Sequence, residues 1–450
     1  MTQKEALDIL KTGASVFLTG EPGAGKTFVT NKYVDHLRDH KVPVAITAST
    51  GIAATHIGGM TIHSWSGLGI KKFLSSADLD KIASSEHIYK RINKTNVLII
   101  DEVSMLSANM LDMVDAICRE VKRNAQPFGG MQVILVGDFF QLPPVEKIAE
   151  APKQGTLMAE KKAIFAFESA AWARLAPLVC YLSEQHRQED ADFLSLLSAI
   201  RRGEVQPAHR AHMEKRKVKA GEFPAHTTKL FSHNANVDEV NAAELAKLAS
   251  EMKEYNMTSE GGDTVVANLK KGCLSPEILR LKIGAAVMCT KNNQKEHFAN
   301  GTLATVQGFD PDSGLPVIKT SAGRVITIEP AEWKVEENGK VRAKITQLPL
   351  RLAWAITVHK SQGMSLDAAV MDLSSVFEYG QGYVALSRVR KLLGLYLLGI
   401  NEHALKVHPQ ILKKDTDFRK NSADARSTFA NLSPKELFKM HKNFTEAFGA

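Results

Sequence analysis

The feature that most constrains this chain is Gly20-Glu-Pro-Gly-Ala-Gly-Lys26-Thr27, a glycine-rich octapeptide between the strand-like run Val16-Phe-Leu-Thr19 and a segment with helical spacing over residues 28–37. It fits G-x-x-x-x-G-K-[ST] in the strand–loop–helix setting that the pattern requires. Gly23 and Gly25 let backbone N–H groups turn toward phosphate oxygens, and the start of the next helix adds a dipole that favours anions. Lys26 is placed to reach β- and γ-phosphates, and Thr27 to offer its hydroxyl to Mg²⁺. Around such a loop the chain is expected to build a parallel sheet covered on both faces by helices.

Three further runs fit that sheet. Residues 42–47 are extended, Val97-Leu-Ile-Ile100 is wholly apolar and ends in Asp101, and residues 131–136 lead into Gly137-Asp138. In parallel sheets functional residues gather just past the carboxyl ends of the strands, which is where these polar clusters fall. Asp101 is expected to hold Mg²⁺ and Glu102 to orient and deprotonate the attacking water. Alone an apolar run ending in two acids says little; paired with the upstream loop it specifies hydrolysis. Gln141, in Gly137-Asp-Phe-Phe-Gln141-Leu-Pro-Pro144, is either a γ-phosphate sensor or part of a polar turn fixed by the two prolines.

A second α/β unit is expected from about Val179, taking in residues 229–232, 237–248, 286–290, 368–373 and 393–398. Arg187 and Arg388 lie just past apolar stretches. Each is either a surface arginine paired with a carboxylate or a group that stabilises transition-state charge on a transferred phosphoryl. Thr357-Val-His-Lys-Ser-Gln-Gly363 is a dense polar cluster whose Thr, His, Lys and Ser side chains suit phosphate contacts without base specificity; Thr47-Ala-Ser-Thr50 has the same character. His63 and Trp65 read either as a packed core pair or as contacts to a nucleic acid, Trp65 by stacking on a base. Residues 301–347 change texture to short β-rich pieces punctuated by Pro311-Asp-Ser-Gly314 and Glu337-Asn-Gly339, as in a small all-β insert. Residues 57–96 separate two core strands and read as another insert; residues 413–450 read as a helical tail.

Composition narrows the field without choosing within it. Lys plus Arg number 57 against 49 Asp plus Glu, a formal net charge of +8. That suits a polyanionic partner. The four cysteines, Cys118, Cys180, Cys273 and Cys289, are far apart and form no metal or disulfide pattern, so free thiols in a reducing compartment are expected. There is no signal-peptide pattern and no apolar run of bilayer length, so a cytoplasmic chain without a membrane partner is expected.

In this order, residues 20–27, 47–54, 101–102, 137–141, 185–187, 357–363 and 383–388 resemble the motif series of a superfamily 1 helicase. More narrowly the chain resembles the PIF-type (petite integration frequency) DNA helicases, relatives of the RecD-like group. That narrowing rests on Gly51-Ile-Ala-Ala54, Gly59-Met-Thr-Ile-His-Ser64, Pro127-Phe-Gly-Gly130, Gly137-Asp-Phe-Phe-Gln-Leu-Pro-Pro-Val145 and Leu352-Ala-Trp-Ala-Ile-Thr-Val-His-Lys-Ser-Gln-Gly363. The resemblance covers roughly residues 1–400.

The resemblance implies an α/β fold with two RecA-like P-loop NTPase domains, residues 1–178 and 179–412. It places a small wedge-bearing insert at about 57–96 and a small β-barrel at about 301–347. It implies ATP and Mg²⁺ as cofactors, with ATP held by Gln3 (the adenine), Gly20, Gly23, Ala24, Gly25, Lys26, Thr27 and Phe28, and Mg²⁺ by Thr27 and Asp101. Catalysis falls to Lys26, Asp101, Glu102, Gln141, Arg187 and Arg388, and the DNA path to Thr47, Ser49, Thr50, His63, Thr357, His359 and Lys360. The implied activity is ATP-dependent 5′-to-3′ movement on single-stranded DNA that unwinds duplex and G-quadruplex DNA in replication, repair, recombination or telomere maintenance. Single-stranded and forked DNA are the implied partners, with single-strand-binding or replication proteins beside them and a monomer in solution. The alternatives are an RNA helicase, the motor subunit of a nuclease complex, or an ATP-switched DNA-binding protein that does not translocate.

Overall fold

The computed structural model describes residues 1–69, 71, 73–144, 164–184, 190–219, 221–224, 227–231, 237–293, 296, 298, 300–320, 322–337, 340–358, 361 and 364–449. The chain divides into unit 1 (Met1–His186, Glu337–Lys340 and Lys413–Ala450) and unit 2 (Arg187–Glu336 and Val341–Leu412).

Unit 1 is built on β1 (Val16–Gly20), β2 (Val44–Ala48), β3 (Met60–Thr61), β4 (Val97–Asp101), β5 (Gln132–Val136) and β6 (Leu178–Leu182). They form one sheet in the order β3-β2-β4-β5-β1-β6, every pair parallel. Strands β1 and β5 are buried at every residue, which is why they read as unbroken apolar runs rather than as alternation. The sheet is accompanied by α1 (Gln3–Lys11), α2 (Lys26–Asp39), α3 (Gly51–His56), α4 (Ile62–Ser66), α5 (Ser76–Ala83), α6 (Glu86–Lys94), α7 (Ala108–Lys122) and α8 (Ala170–Leu175). The register pairs Leu18 with Val136, Ile100 with Leu135, and Ala48 with Asp101. The carboxyl ends of β1, β2, β4 and β5 therefore lie along one edge, where the polar motifs begin.

Two sequence expectations shift here. The strand at Val179, expected to open the second unit, is β6, paired parallel with β1 from Val16↔Leu178 to Gly20↔Leu182. An apolar run shows that a strand is buried but not which sheet buries it. Residues 57–96 are not wholly outside the sheet either, because they contribute β3, paired with β2 at Thr47↔Met60. Trp65 is buried in α4, and Arg91 of α6 donates to the carbonyls of Ser64 (2.9 Å) and Trp65 (3.1 Å). Of its two readings, the packed core is the one observed.

Unit 2 holds α9 (Ala191–Arg202), α10 (Pro207–Glu214), α11 (Val237–Ala246), α12 (Asp263–Gly272) and α13 (Gln381–Leu386). Its strands are β7 (Thr228–Phe231), β8 (Lys253–Asn256), β9 (Thr258–Gly261), β10 (Ile278–Leu281), β11 (Ala286–Cys289), β12 (Leu303–Phe309), β13 (Pro316–Thr320), β14 (Val325–Thr327), β15 (Ala331–Glu337), β16 (Lys340–Gln347), β17 (Leu350–Leu352), β18 (Ala355–Thr357), β19 (Ala369–Leu373) and β20 (Leu395–Ile400). A second all-parallel sheet runs β18-β7-β19-β20. The other strands form the sheets β14-β13-β12-β11-β17, β15-β16-β9 and β10-β8. Residues 286–290, expected in the parallel sheet, supply β11, which is antiparallel to β12 and β17. Four buried apolar residues in a row carry no mark of strand direction.

The last helices are α14 (Pro409–Ala430) and α15 (Pro434–Phe448). From Lys413 onward they belong to unit 1, and Ala425 and Phe444 join its core with residues of β1, β4, β5 and β6. Tyr181 N donates to Ser422 Oγ at 3.0 Å, so α14 covers the otherwise open edge of β6. Phe418 of α14 meets Phe17 at 5.0 Å and stacks on Phe139 at 6.0 Å between centroids. No described helix is long and apolar enough to cross a membrane. All four cysteines are free.

Candidate active site

Strand β1 delivers Gly20 to the glycine-rich loop, and α2 begins at Lys26 on an N-cap, Gly25, held at φ 88° and ψ 22° with no side-chain cap. A glycine N-cap brings no side chain of its own over the first N–H groups of α2, and such a helix start suits an anion. The φ of Gly25 favours glycine, and a Cβ there would stand 2.1 Å from Gln3 Nε2 and push that side chain aside. Gln3 donates through Nε2 to Ala24 O at 3.2 Å, and its own N–H is held by Glu184 Oε2 at 2.8 Å. Gln3 therefore packs on the loop. Glu184 escaped the sequence reading; its nearness to residues 185–187 was the only signal.

Lys26 Nζ donates to Gly20 O at 2.8 Å and Glu21 O at 3.2 Å, which fixes its ammonium over the loop. Gly23 lies in the loop with φ 91°. Thr27 and Phe28 are exposed on the first turn of α2, and the Lys32 ammonium lies 5.8 Å from the Phe28 ring.

Two strands from β1, Asp101 ends β4 and accepts Glu102 N at Oδ1, 2.8 Å away. Burial pushes the Asp101 carboxyl above the usual carboxylate range, against the opposing pull of Glu102 N–H and the Lys26 ammonium. Glu102 itself sits at φ 52° and ψ 43°. Gly137, just past β5, comes so close to the turn after β4 that a Cβ would lie 3.0 Å from Val103 Cγ1 and 3.1 Å from Val103 N. Gln141 is buried, its N–H donates to Asp138 O at 3.0 Å, and its amide Nε2 lies 3.4 Å from Asp138 Oδ2. Asp138, fully buried, also accepts Phe140 N at 3.2 Å. The turn is thus shaped by a carboxylate that the sequence reading passed over, and is anchored by Phe139 in the aromatic cluster with Phe17, Trp172 and Phe418.

The residues expected on the DNA path separate. Thr47 is fully buried and donates through Oγ1 to Ile99 O at 2.6 Å, so its hydroxyl serves the sheet and is not presented to solvent. Every second side chain of a strand faces the other side, and the sequence did not reveal which side Thr47 faced. Ser49 donates through Oγ to Glu102 O at 2.8 Å, linking the end of β2 to the Glu102 turn. Thr50 Oγ1 accepts Ala53 N at 3.2 Å at the start of α3. His63 is half-buried on α4, and burial lowers its pKa.

Unit 2 brings two of the predicted residues together with α13. Thr357 ends β18 and is buried. Arg388 follows α13 and is 1% exposed. Its Nε donates to Val384 O at 2.9 Å, Nη1 to Ser361 O at 3.3 Å, and Nη2 to Ser387 Oγ at 2.8 Å. Of its two readings, that of a surface arginine does not fit this buried residue, which links Ser361 to α13. Arg187, His359 and Lys360 lie outside the described residues.

For Mg²⁺ the donors on offer are a hydroxyl, Thr27, and a carboxylate, Asp101, with no cluster of three or more His, Cys, Asp or Glu among the described residues able to cage a metal. That sparse set fits a cation that keeps several waters and is shared with phosphate oxygens.

A glycine-rich loop between a buried parallel strand and a helix, with an Asp-Glu pair two strands away, defines unit 1 as a P-loop nucleoside triphosphatase. Residues 2–211 match the family model for PIF1-like helicases. Over 100% of its length the chain is 41% identical to the ATP-dependent DNA helicase Pif1 of Psychrobacter sp., covering 75% of that protein. It is similar to the crystal structure of Bacteroides sp. Pif1 in complex with ADP-AlF4, with TM-score 0.80, 28% identity, and coverage of 93% of this chain and 96% of that one. A Bacteroides Pif1 structure in complex with ADP-AlF3 and ssDNA matches with TM-score 0.62 at 28% identity over 93% and 96% of the two chains. The chain spans 62% of the length of the zebrafish and human relatives it matches. The chain belongs to the PIF1-like helicase family, and its two parallel sheets are those of two RecA-like domains.

Proposed function

We propose that the chain is an ATP-dependent DNA helicase that moves 5′ to 3′ on single-stranded DNA and unwinds forked duplex and G-quadruplex structures. The observation that carries this is the second all-parallel sheet, with Thr357 at the end of β18 and Arg388 beyond α13. A nucleotide switch built on unit 1 alone has no use for either.

In this reading the N–H groups at the start of α2 and the Lys26 ammonium hold the β- and γ-phosphates, and Gln3 and Phe28 hold the base. Thr27 and Asp101 hold Mg²⁺, which when bound neutralises charge on the phosphate oxygens. Glu102 takes the proton of the attacking water and Gln141 orients it. Arg187 and Arg388 meet the charge that develops on the γ-phosphate. Ser49, Thr50, His63, Thr357, His359 and Lys360 contact the phosphates of single-stranded DNA. Thr47 shapes that path from beneath through its bond to Ile99 O. The chain acts as a monomer beside single-strand-binding or replication proteins, in the cytoplasm.

The test is strand separation on matched 5′-tailed and 3′-tailed duplexes with ATP and Mg²⁺. The 5′-tailed substrate alone is expected to open. Lys26→Ala should lower ATP turnover about 100-fold or more while single-stranded DNA still binds. Unwinding retained in that variant removes the nucleotide site from the mechanism, and unwinding of only the 3′-tailed substrate reverses the polarity.

A further inference from the structure

Arg388 is held from three sides inside unit 2, and one of those holds comes from a side chain that no motif argument singles out. Ser387 is fully buried at the C-cap of α13. Its Oγ donates to Val384 O at 2.9 Å and accepts Arg388 Nη2 at 2.8 Å. A serine hydroxyl has one proton. With that proton on Val384 O, the oxygen faces Arg388 only as an acceptor, so the contact has a direction that thermal rotation of the hydroxyl does not reverse. The same carbonyl, Val384 O, also accepts Arg388 Nε at 2.9 Å. Val384 O and Ser387 Oγ thus grip the Nε–Nη2 side of the guanidinium fork. Nη1 donates over a longer distance, 3.3 Å, to Ser361 O.

We propose that Ser387 is a positioning residue that fixes the plane of the Arg388 guanidinium and with it the aim of the arginine. This rests on the reading of Arg388 as the residue that meets γ-phosphate charge. The two short bonds, to Val384 O and Ser387 Oγ, lie on one side of the fork and orient it from α13. A guanidinium presents its donors in a fixed planar fork. Losing one short anchor therefore tilts every remaining donor, and misplacement of a catalytic group by about 1 Å can cost on the order of 100-fold in rate. A second buried group supports the same helix: Arg201, 1% exposed, donates through Nη1 to Tyr383 Oη at 3.2 Å, which pins α13 from α9.

The alternative is that Ser387 merely caps α13 through its bond to Val384 O. That predicts lost stability and no specific effect on hydrolysis. The deciding experiment measures steady-state ATP hydrolysis with saturating single-stranded DNA for the full chain and for Ser387→Ala, Arg388→Ala, and the two combined, with thermal unfolding of each. Ser387→Ala is expected to lower kcat about 10-fold or more with KM for ATP within about twofold, and to add nothing in the Arg388→Ala background. Ser387→Cys, similar in size with a weak acceptor, should resemble Ser387→Ala. A Ser387→Ala loss that persists undiminished in the Arg388→Ala background overturns the proposal, as does a kcat equal to that of the unaltered chain. If Arg388→Ala leaves kcat unchanged, the assignment of the arginine fails first, and the proposal with it.

Discussion

Glu102 occupies the left-handed region, where a residue with a Cβ costs on the order of 1–3 kcal/mol. Its neighbours hold it there: its N–H is on Asp101 Oδ1 at 2.8 Å, and its carbonyl accepts both Ser49 Oγ at 2.8 Å and Met105 N at 3.1 Å. The acid and its place after an apolar run are legible in the sequence; the conformation is not, because nothing in an Asp-Glu pair encodes a positive φ. His36 gives a residue-scale prediction of another kind. It lies near the end of α2 with its ring 4.4 Å from that of His40, and its Nε2 is buried without a hydrogen-bond partner. Desolvation first, then His40, Lys11 and His441, hold its pKa down to about 4, with Asp39 pulling the other way. The unfolded chain, with the ordinary histidine value near 6.5, therefore binds more protons between about pH 6.5 and 4. Stability should rise with pH across that window and fall as the solution is acidified through it. The thermal midpoint measured from pH 7 to pH 5 should drop less in His36→Asn than in the unaltered chain; equal slopes remove His36 as a source.

The C-terminal helices show what changes at the scale of elements. Their sequence is polar and reads as a tail. Yet Phe418, Ala425 and Phe429 stand seven and four residues apart, a helical stripe, and Phe418 and Ala425 are buried in unit 1. A three-residue stripe in a polar segment is too thin to announce a partner, so the docking of α14 and α15 is a tertiary result. The turn between α1 and β1 carries the other half of that contact. Gly13 has φ 87°, and a Cβ there would lie 2.3 Å from the Phe444 ring, which is itself buried. Gly13→Ala should destabilise the protein by about 1–3 kcal/mol, read as a lower urea midpoint. Combined with Phe444→Ala, which removes the ring, the loss should be smaller than the sum of the two single changes. Strict additivity means that Gly13 and Phe444 do not meet.

At the scale of the whole molecule, the excess of cations and the predominance of phosphate-type contacts make one statement about binding. The formal net charge is +8, and the side chains proposed for the DNA path are hydroxyls, imidazoles and a lysine rather than a set of aromatic platforms. Trp65 and Trp354, the tryptophans near them in sequence, are both buried. Affinity for single-stranded DNA should therefore fall steeply with salt, with a log–log slope of about −0.7 per phosphate neutralised. A fluorescence anisotropy titration across ionic strength checks this, and a flat response means that stacking on bases dominates. The sequence by itself determined the nucleotide loop, the Asp-Glu pair, the parallel sheet behind them and the presence of a second α/β unit. All of these are written in short contiguous patterns whose physics is local: a glycine turn, a helix start, an apolar strand. Only the tertiary structure decided that β6 joins β1, that β11 runs antiparallel, that Thr47 turns inward, and that Ser387 and Ser361 flank Arg388. Each of those depends on which partner a strand, a side chain or a carbonyl meets across the fold, and a buried run of residues looks the same in sequence whichever partner buries it.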